Sequence, residues 1–228
     1  MKNNFAKLQE QLGYKFKNIS LLEQALCHKS YINESKSKIS SYERLEFLGD
    51  SVLSVVVSRY IYDNYSSFPE GELTKLRASV VCESTLSEAA RKLCIGDWLL
   101  LSKGEKQSGG NNKSAILCDV FESIIAAIYL DSDMNFAKQF ILDNLKDIIA
   151  EQARLGNDSN DYKTNLQELV QQRGYGVDYK IISECGPDHA REYEAAVYVD
   201  GDYVASGVGT SKKKAQQVAA KNALIKFQ

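Results

Sequence analysis

The segment that most constrains this chain is AILCDVFESIIAAIYLD, residues 115–131. Wound as a helix it is apolar almost all round, so it has to sit at the centre of a core and not along its surface. Yet it carries Asp119 and Glu122, three residues apart and on one face. A carboxylate on a buried helix is costly unless it is paired or bound to a cation. The same two acids interrupt the most apolar run, residues 115–130, so the segment does not read as a membrane span.

A second segment, ERLEFLGDSVL at residues 43–53, poses the same problem. At about 100° per residue, Glu43, Glu46 and Asp50 fall on one narrow helical face. Leu45, Phe47, Leu48 and Val52 flank that face and want burial. Gly49 costs a helix about 1 kcal/mol relative to Ala, which points to close approach of another backbone or a ligand. An acidic pair on a helix is ordinarily a solvated stripe, or is ion-paired to a neighbour such as Arg44. Two acidic sets on apolar helices, with no matching cluster of Lys or Arg, favour an acidic, metal-binding cleft. Hard oxygen donors without His or Cys suit Mg²⁺. Periodicity goes no further and does not name a reaction.

Other metal chemistries are disfavoured. The five cysteines, Cys27, Cys82, Cys94, Cys118 and Cys185, are odd in number and contain no C-x-x-C, which speaks against a disulfide framework and a zinc site. Four lie among apolar neighbours and read as reduced core residues. There are two histidines, His28 and His189, and His28 reads as a packed structural residue. Residues 1–22 contain no apolar signal-peptide run, so a soluble, cytoplasmic protein without a membrane segment is expected.

The chain reads as two domains. Residues 1–155 follow helix upon helix: Leu21, Leu22, Ala25 and Leu26; then Leu45, Leu48, Val52, Val55 and Val56; then Leu86, Ala89, Ala90 and Leu93. Pro69 and Gly71 break the pattern, residues 108–112 form a loop, and residues 136–150 form an amphipathic helix. Residues 156–161 are small and polar and read as a linker. Residues 162–228 change texture. A short helix ends at Gly174, and strands follow around Tyr179, Ile181 and Ser183 and along Tyr193, Ala195, Val197 and Val199. Asp200-Gly201 signals a hairpin turn, and Ser211 caps a last helix. The expected fold is an all-α N-terminal domain followed by an α+β domain of order α-β-β-β-α.

Charge does not announce a nucleic-acid binder. The net charge is −2, and dividing the chain at Gly156 leaves 19 basic and 20 acidic residues before it and 9 basic and 10 acidic after it. Any such role has to rest on local clusters. One is Lys212-Lys213-Lys214 in the first turn of the last helix, where free N–H groups and the dipole already attract phosphate. Three lysines alone are usually a solvated patch.

The string ERLEFLGDSVL is similar to the ribonuclease III signature almost letter for letter. LGYKFKNISLLEQALCHKSY, PEGELTKLRASVV and ILCDVFESIIAAIYLDS resemble further blocks of that family, and the resemblance covers essentially the whole chain. LQELVQQRG, GPDHAREY and GTSKKKAQQVAAKNALIKF resemble the three contact regions of double-stranded-RNA-binding domains.

The resemblance implies a homodimeric endonuclease for double-stranded RNA. Its Mg²⁺ ligands would be Glu46, Asp50, Asp119 and Glu122, with Asp50 and Glu122 catalytic and Mn²⁺ able to substitute. It implies that Glu43 and Glu70 face RNA and that Phe47 docks into the partner subunit. Gln167 and His189 would meet successive minor grooves, while Lys212, Lys213 and Lys214 grip the phosphates between them. Short 3′ overhangs, 5′-phosphates and 3′-hydroxyls would result, in the trimming of ribosomal RNA precursors and structured messengers. Asn111 and Asn112 stand where the family often has Arg, and Cys118 and Val120 replace usual small residues. A non-catalytic RNA-binding scaffold and a helical hydrolase of small molecules are the competing readings.

Overall fold

A computed structural model of the protein describes residues 5–35, 39–158, 162–187 and 191–227. They fall into two compact units, Met1–Gly156 and Asn157–Gln228.

The described part of the first unit is helical: α1 (Ala6–Leu12), α2 (Ile19–Ala25), α3 (Lys29–Ser35), α4 (Glu43–Asn64), α5 (Glu70–Val80), α6 (Glu83–Lys92), α7 (Lys103–Gln107), α8 (Ser114–Asp131) and α9 (Met134–Asp158). A single bridge between Cys27 and Leu100 is its one described piece of β pairing. As its all-round apolar sequence demands, α8 is the central rod. Ile116, Leu117, Val120, Phe121 and Ile124 to Ile128 are buried around it, and α4, α6 and α2 pack against it. The Ser123 hydroxyl, fully buried, donates to the Ala25 carbonyl at 2.7 Å, so the polar group on this helix is satisfied by α2. At the far end Asp131 holds the N-terminal segment. It accepts from the Tyr14 hydroxyl at 2.8 Å and from the backbone N–H groups of Lys17 at 2.8 Å and Asn18 at 2.7 Å.

The crossing of α4 over α8 is set by Gly49. A Cβ placed there would lie 1.9 Å from the Glu122 carbonyl oxygen and 2.5 Å from its carbonyl carbon. The two backbones therefore touch at the point where both helices carry acidic residues. Pro69 stands at the N-cap of α5, while Gly71 lies inside that helix and does not break it.

Two local expectations need correction. The segment 156–161 does not read as linker throughout, because α9 continues to Asp158. One helical glycine costs about 1 kcal/mol, less than the about 1.5–3 kcal/mol from each large aliphatic on the buried stripe of Ile141, Leu145 and Ile149. Of the cysteines, Cys27 is buried; Cys82 and Cys118 are half-buried, and Cys94 and Cys185 are exposed. Apolar neighbours in sequence do not decide which way a thiol faces.

The second unit has the order α10 (Tyr162–Gln171), β1 (Val177–Cys185), β2 (Glu192–Val199), β3 (Asp202–Gly209) and α11 (Lys212–Phe227). The strands form one antiparallel sheet in the order β1-β2-β3. The β2–β3 turn places both Asp200 (φ 49°) and Gly201 (φ 90°) in the left-handed region, as a type I′ hairpin requires. On the packed face α11 lies against β3 with Ala215, Ala219, Ala220 and Ala223 buried. Side chains added at Gly207 or Gly209 would collide with its backbone.

Gly49→Ala gains about 1 kcal/mol of helix propensity but drives a methyl into a carbonyl that cannot rotate away, an overpacking cost of about 1–3 kcal/mol or more. Its chemical-denaturation midpoint should fall. Gly71→Ala, with nothing within 4 Å, should hold or raise the midpoint. A stable Gly49→Ala would show that the helices are not in contact there.

Candidate active site

Because α4 and α8 touch at Gly49 and Glu122, the acids of one helix face those of the other. Glu46 and Asp50 come from α4, and Asp119 and Glu122 from α8. Asp50 is exposed; the other three are half-buried. Burial is the largest influence on Glu122, followed by the negative charges of Asp50, Glu46 and Asp119, and together they push it up to about 8. Burial and then Asp119 and Glu43 raise Glu46. Burial also raises Asp119, opposed by a hydrogen bond from the Tyr42 hydroxyl at 3.1 Å. The charges of Glu46, Asp50 and Asp119 thus all reach Glu122.

Other expected residues lie elsewhere. Glu43 is exposed; the Ser41 hydroxyl at 2.8 Å and Lys29 at 3.4 Å hold it below the usual carboxylate range. Glu70 opens α5, accepts from Thr74 at 3.1 Å and is not among the charges acting on Glu122. Phe47 does not pack into its own chain: it is 78% exposed. Burial holds His28 below its usual range. Its Nδ1 accepts from the Ser30 N–H at 3.2 Å and pairs with the Ser30 hydroxyl at 2.7 Å, a structural arrangement.

Three further participants carry no signal in the sequence. Tyr42 donates to Asp119. Glu83, first in α6, adds a negative charge that raises Asp119 further. Lys29 is the cation whose charge reaches Glu46 and Asp119, though it is paired to Glu43. Each is distant in sequence from the acid it influences, so no local period announces it. Asn112 also gains an account: with Ser114 it receives the Arg91 guanidinium, which ties α6 to the start of α8.

Among the described residues, no group of three or more His, Cys, Asp and Glu side chains is placed so that it could hold a metal ion. The donor chemistry still fits a hard divalent cation. Asp50, Glu46 and Asp119 raise the proton affinity of Glu122, and Asp119 raises that of Glu46, the field that such an ion relieves.

In the second unit Lys212, Lys213 and Lys214 are exposed in the first turn of α11. The Ser211 hydroxyl caps that turn, accepting from the Lys214 N–H at 3.2 Å. Lys212 lies over the Tyr193 ring at 5.6 Å. Gln167 is exposed on α10. His189 lies outside the described residues.

Residues 18–149 match the family described as Ribonuclease-III-like, and residues 162–226 match the double-stranded RNA binding motif. The chain is 43% identical to a Ribonuclease 3 of Enterococcus faecalis over 222 residues, covering 96% of this chain and 95% of that one. It is 46% identical to a Ribonuclease 3 of Clostridium kluyveri over 226 residues, covering 99% and 92%. The solved nuclease domain of ribonuclease III from Campylobacter jejuni is 42% identical with a TM-score of 0.59, covering 64% of this chain and 96% of that domain. A second structure of that domain, 41% identical with a TM-score of 0.58, concerns flexibility in a region involved in its dimer formation; it covers 63% of this chain and 99% of that one.

The raised carboxyl has a consequence for stability. In the unfolded chain Glu122 titrates near 4.5, and in the fold near 8, so between these values the folded state holds more protons. Stability of the metal-free protein is therefore full below the lower value and falls as pH rises through the window. In EDTA the thermal midpoint should drop between about pH 5 and about pH 8, less steeply in Glu122→Gln. Equal slopes in the two proteins would count against the crowded-carboxylate reading.

Proposed function

The chain belongs to the ribonuclease III family, and we propose that Glu46, Asp50, Asp119 and Glu122 form its cleavage centre, with Asp50 and Glu122 as the catalytic pair. It is an endoribonuclease that acts on double-stranded RNA. The observation that carries this assignment is the action of Asp50, Glu46 and Asp119 on Glu122 beside the Gly49–Glu122 contact.

The four residues would hold Mg²⁺, with Mn²⁺ able to substitute. Held there, the ion would supply a water of lowered pKa, and so a hydroxide nucleophile, and neutralisation of charge on the phosphate and the leaving oxygen. The chain's own task is to hold the ligands. The α4–α8 contact fixes the two helices that present them, and the apolar core beneath keeps the charge of Glu46, Asp119 and Glu122 poorly solvated. No histidine is needed as a base, consistent with the engaged Nδ1 of His28. Cleavage is expected to leave 5′-phosphates, 3′-hydroxyls and short 3′ overhangs. Precursors of ribosomal RNA and structured messengers are the expected substrates, in the cytoplasm. Glu43, exposed beside the centre, and Glu70 are the further acids expected to face RNA.

A homodimer supports two such centres. Phe47, Val55 and Tyr62 are 78%, 61% and 69% exposed and share one face of α4, a stripe suited to a second copy. In the second unit Gln167 and His189 are expected at the minor grooves, with Lys212, Lys213 and Lys214 on the phosphates between.

Long duplex RNA incubated with the protein should be cut to short duplexes with 5′-phosphates in Mg²⁺ and left intact in EDTA. Glu122→Gln should slow cutting by at least about 100-fold, the scale of losing one charge-stabilising group. RNA that is shifted on a native gel but never cut would leave only a binding scaffold. Replacing Lys212, Lys213 and Lys214 with glutamine should weaken duplex binding irrespective of sequence and lower the log–log salt slope by about 3. An unchanged slope would remove these lysines from the contact.

A further inference from the structure

Tyr42 lies outside the acidic stripe of α4, yet it is joined to both helices of the centre. Its carbonyl accepts the N–H groups of Leu45 at 2.7 Å and Glu46 at 2.9 Å, and so opens the helix that carries Glu46 and Asp50. Its own N–H donates to the Cys27 carbonyl at 2.9 Å. Its ring is 3% exposed and lies beside the His28 ring, with centroids 5.8 Å apart. From this fixed seat its hydroxyl donates to Oδ2 of Asp119, 77 positions away on α8, at 3.1 Å.

The choice of donor matters. Asp119 is half-buried and surrounded by Glu46, Glu83 and Glu122, so its carboxylate needs a partner. A lysine or arginine in that seat would satisfy it and also cancel the negative charge that attracts a cation. A phenolic hydroxyl orients the carboxylate and leaves its charge whole. A phenol is ordinarily protonated near neutral pH, so the hydroxyl is a donor there. The bond engages Oδ2 and leaves Oδ1 as the oxygen it does not occupy.

We propose that Tyr42 is a positioning residue of the cleavage centre: its hydroxyl fixes Asp119 relative to Glu46 and Asp50, so that a divalent cation meets an oriented ligand. This rests on the assignment of Asp119 as a metal ligand. Partners that orient a ligating side chain are typically worth about 10–100-fold in metal affinity.

Tyr42→Phe keeps the ring and deletes one oxygen. Mn²⁺ binding to the full chain without RNA can be followed by the resonance signal of free Mn²⁺, for wild type, Tyr42→Phe and Asp119→Asn. In Tyr42→Phe the Mn²⁺ Kd should rise about 10–100-fold, the metal-free thermal midpoint should stay near wild type, and saturating Mn²⁺ should return kcat for duplex cleavage. A Kd unchanged in Tyr42→Phe but raised in Asp119→Asn overturns the positioning role and leaves the ligand assignment standing. A Kd unchanged in both overturns the ligand assignment and this proposal with it. A metal-free midpoint that falls together with the affinity would make Tyr42 a packing residue and overturn the proposal as well.

Discussion

Everything in the catalytic unit depends on two helix backbones meeting at Gly49. Helices normally pack 8–10 Å apart because side chains keep them so. Here a missing side chain lets α4 press against the Glu122 carbonyl. The contact brings the acids of both helices into one electrostatic neighbourhood, and the apolar flanks of the same helices withhold the water that would otherwise solvate them. Fold and site are thus one arrangement: the residues that bury the core also make the carboxylates costly, and that cost favours a cation.

Much of this was legible in sequence because it is local. The all-round apolar run at residues 115–131 demanded a central helix, and its two acids demanded an explanation. Spacing alone aligned Glu43, Glu46 and Asp50, and Gly49 was marked as a point of close approach. In the second unit, strand alternation, the Asp200-Gly201 turn and the Ser211 cap each matched a short-range rule, and each element formed.

What escaped the sequence is what depends on distance along the chain. The Tyr42–Asp119 bond spans 77 positions, and no period links its ends. Glu83 and Lys29 reach the centre from α6 and α3, helices that carry none of its four acids. Phe47 carries two conflicting expectations. Periodicity asked for burial in its own chain, whereas the resemblance sent it to a partner, and its exposure contradicts the first of these. The helix was also continued past Gly156, since a small propensity penalty cannot end a helix whose apolar stripe is long.

The clamp at Asp131 has a bearing on how the protein is made. Tyr14 and its acceptor are 117 positions apart, and the N–H groups of Lys17 and Asn18 wait for the same carboxylate. A growing chain therefore emerges with its N-terminal segment lacking its anchor until nearly the whole catalytic unit has been synthesised. Chains of this topology close late, with the apolar face of α4 lacking its α8 partner meanwhile, and are the kind that chaperones attend. A ribosome stalled just short of residue 131 would hold a catalytic unit with most of its helices present and its beginning still untied.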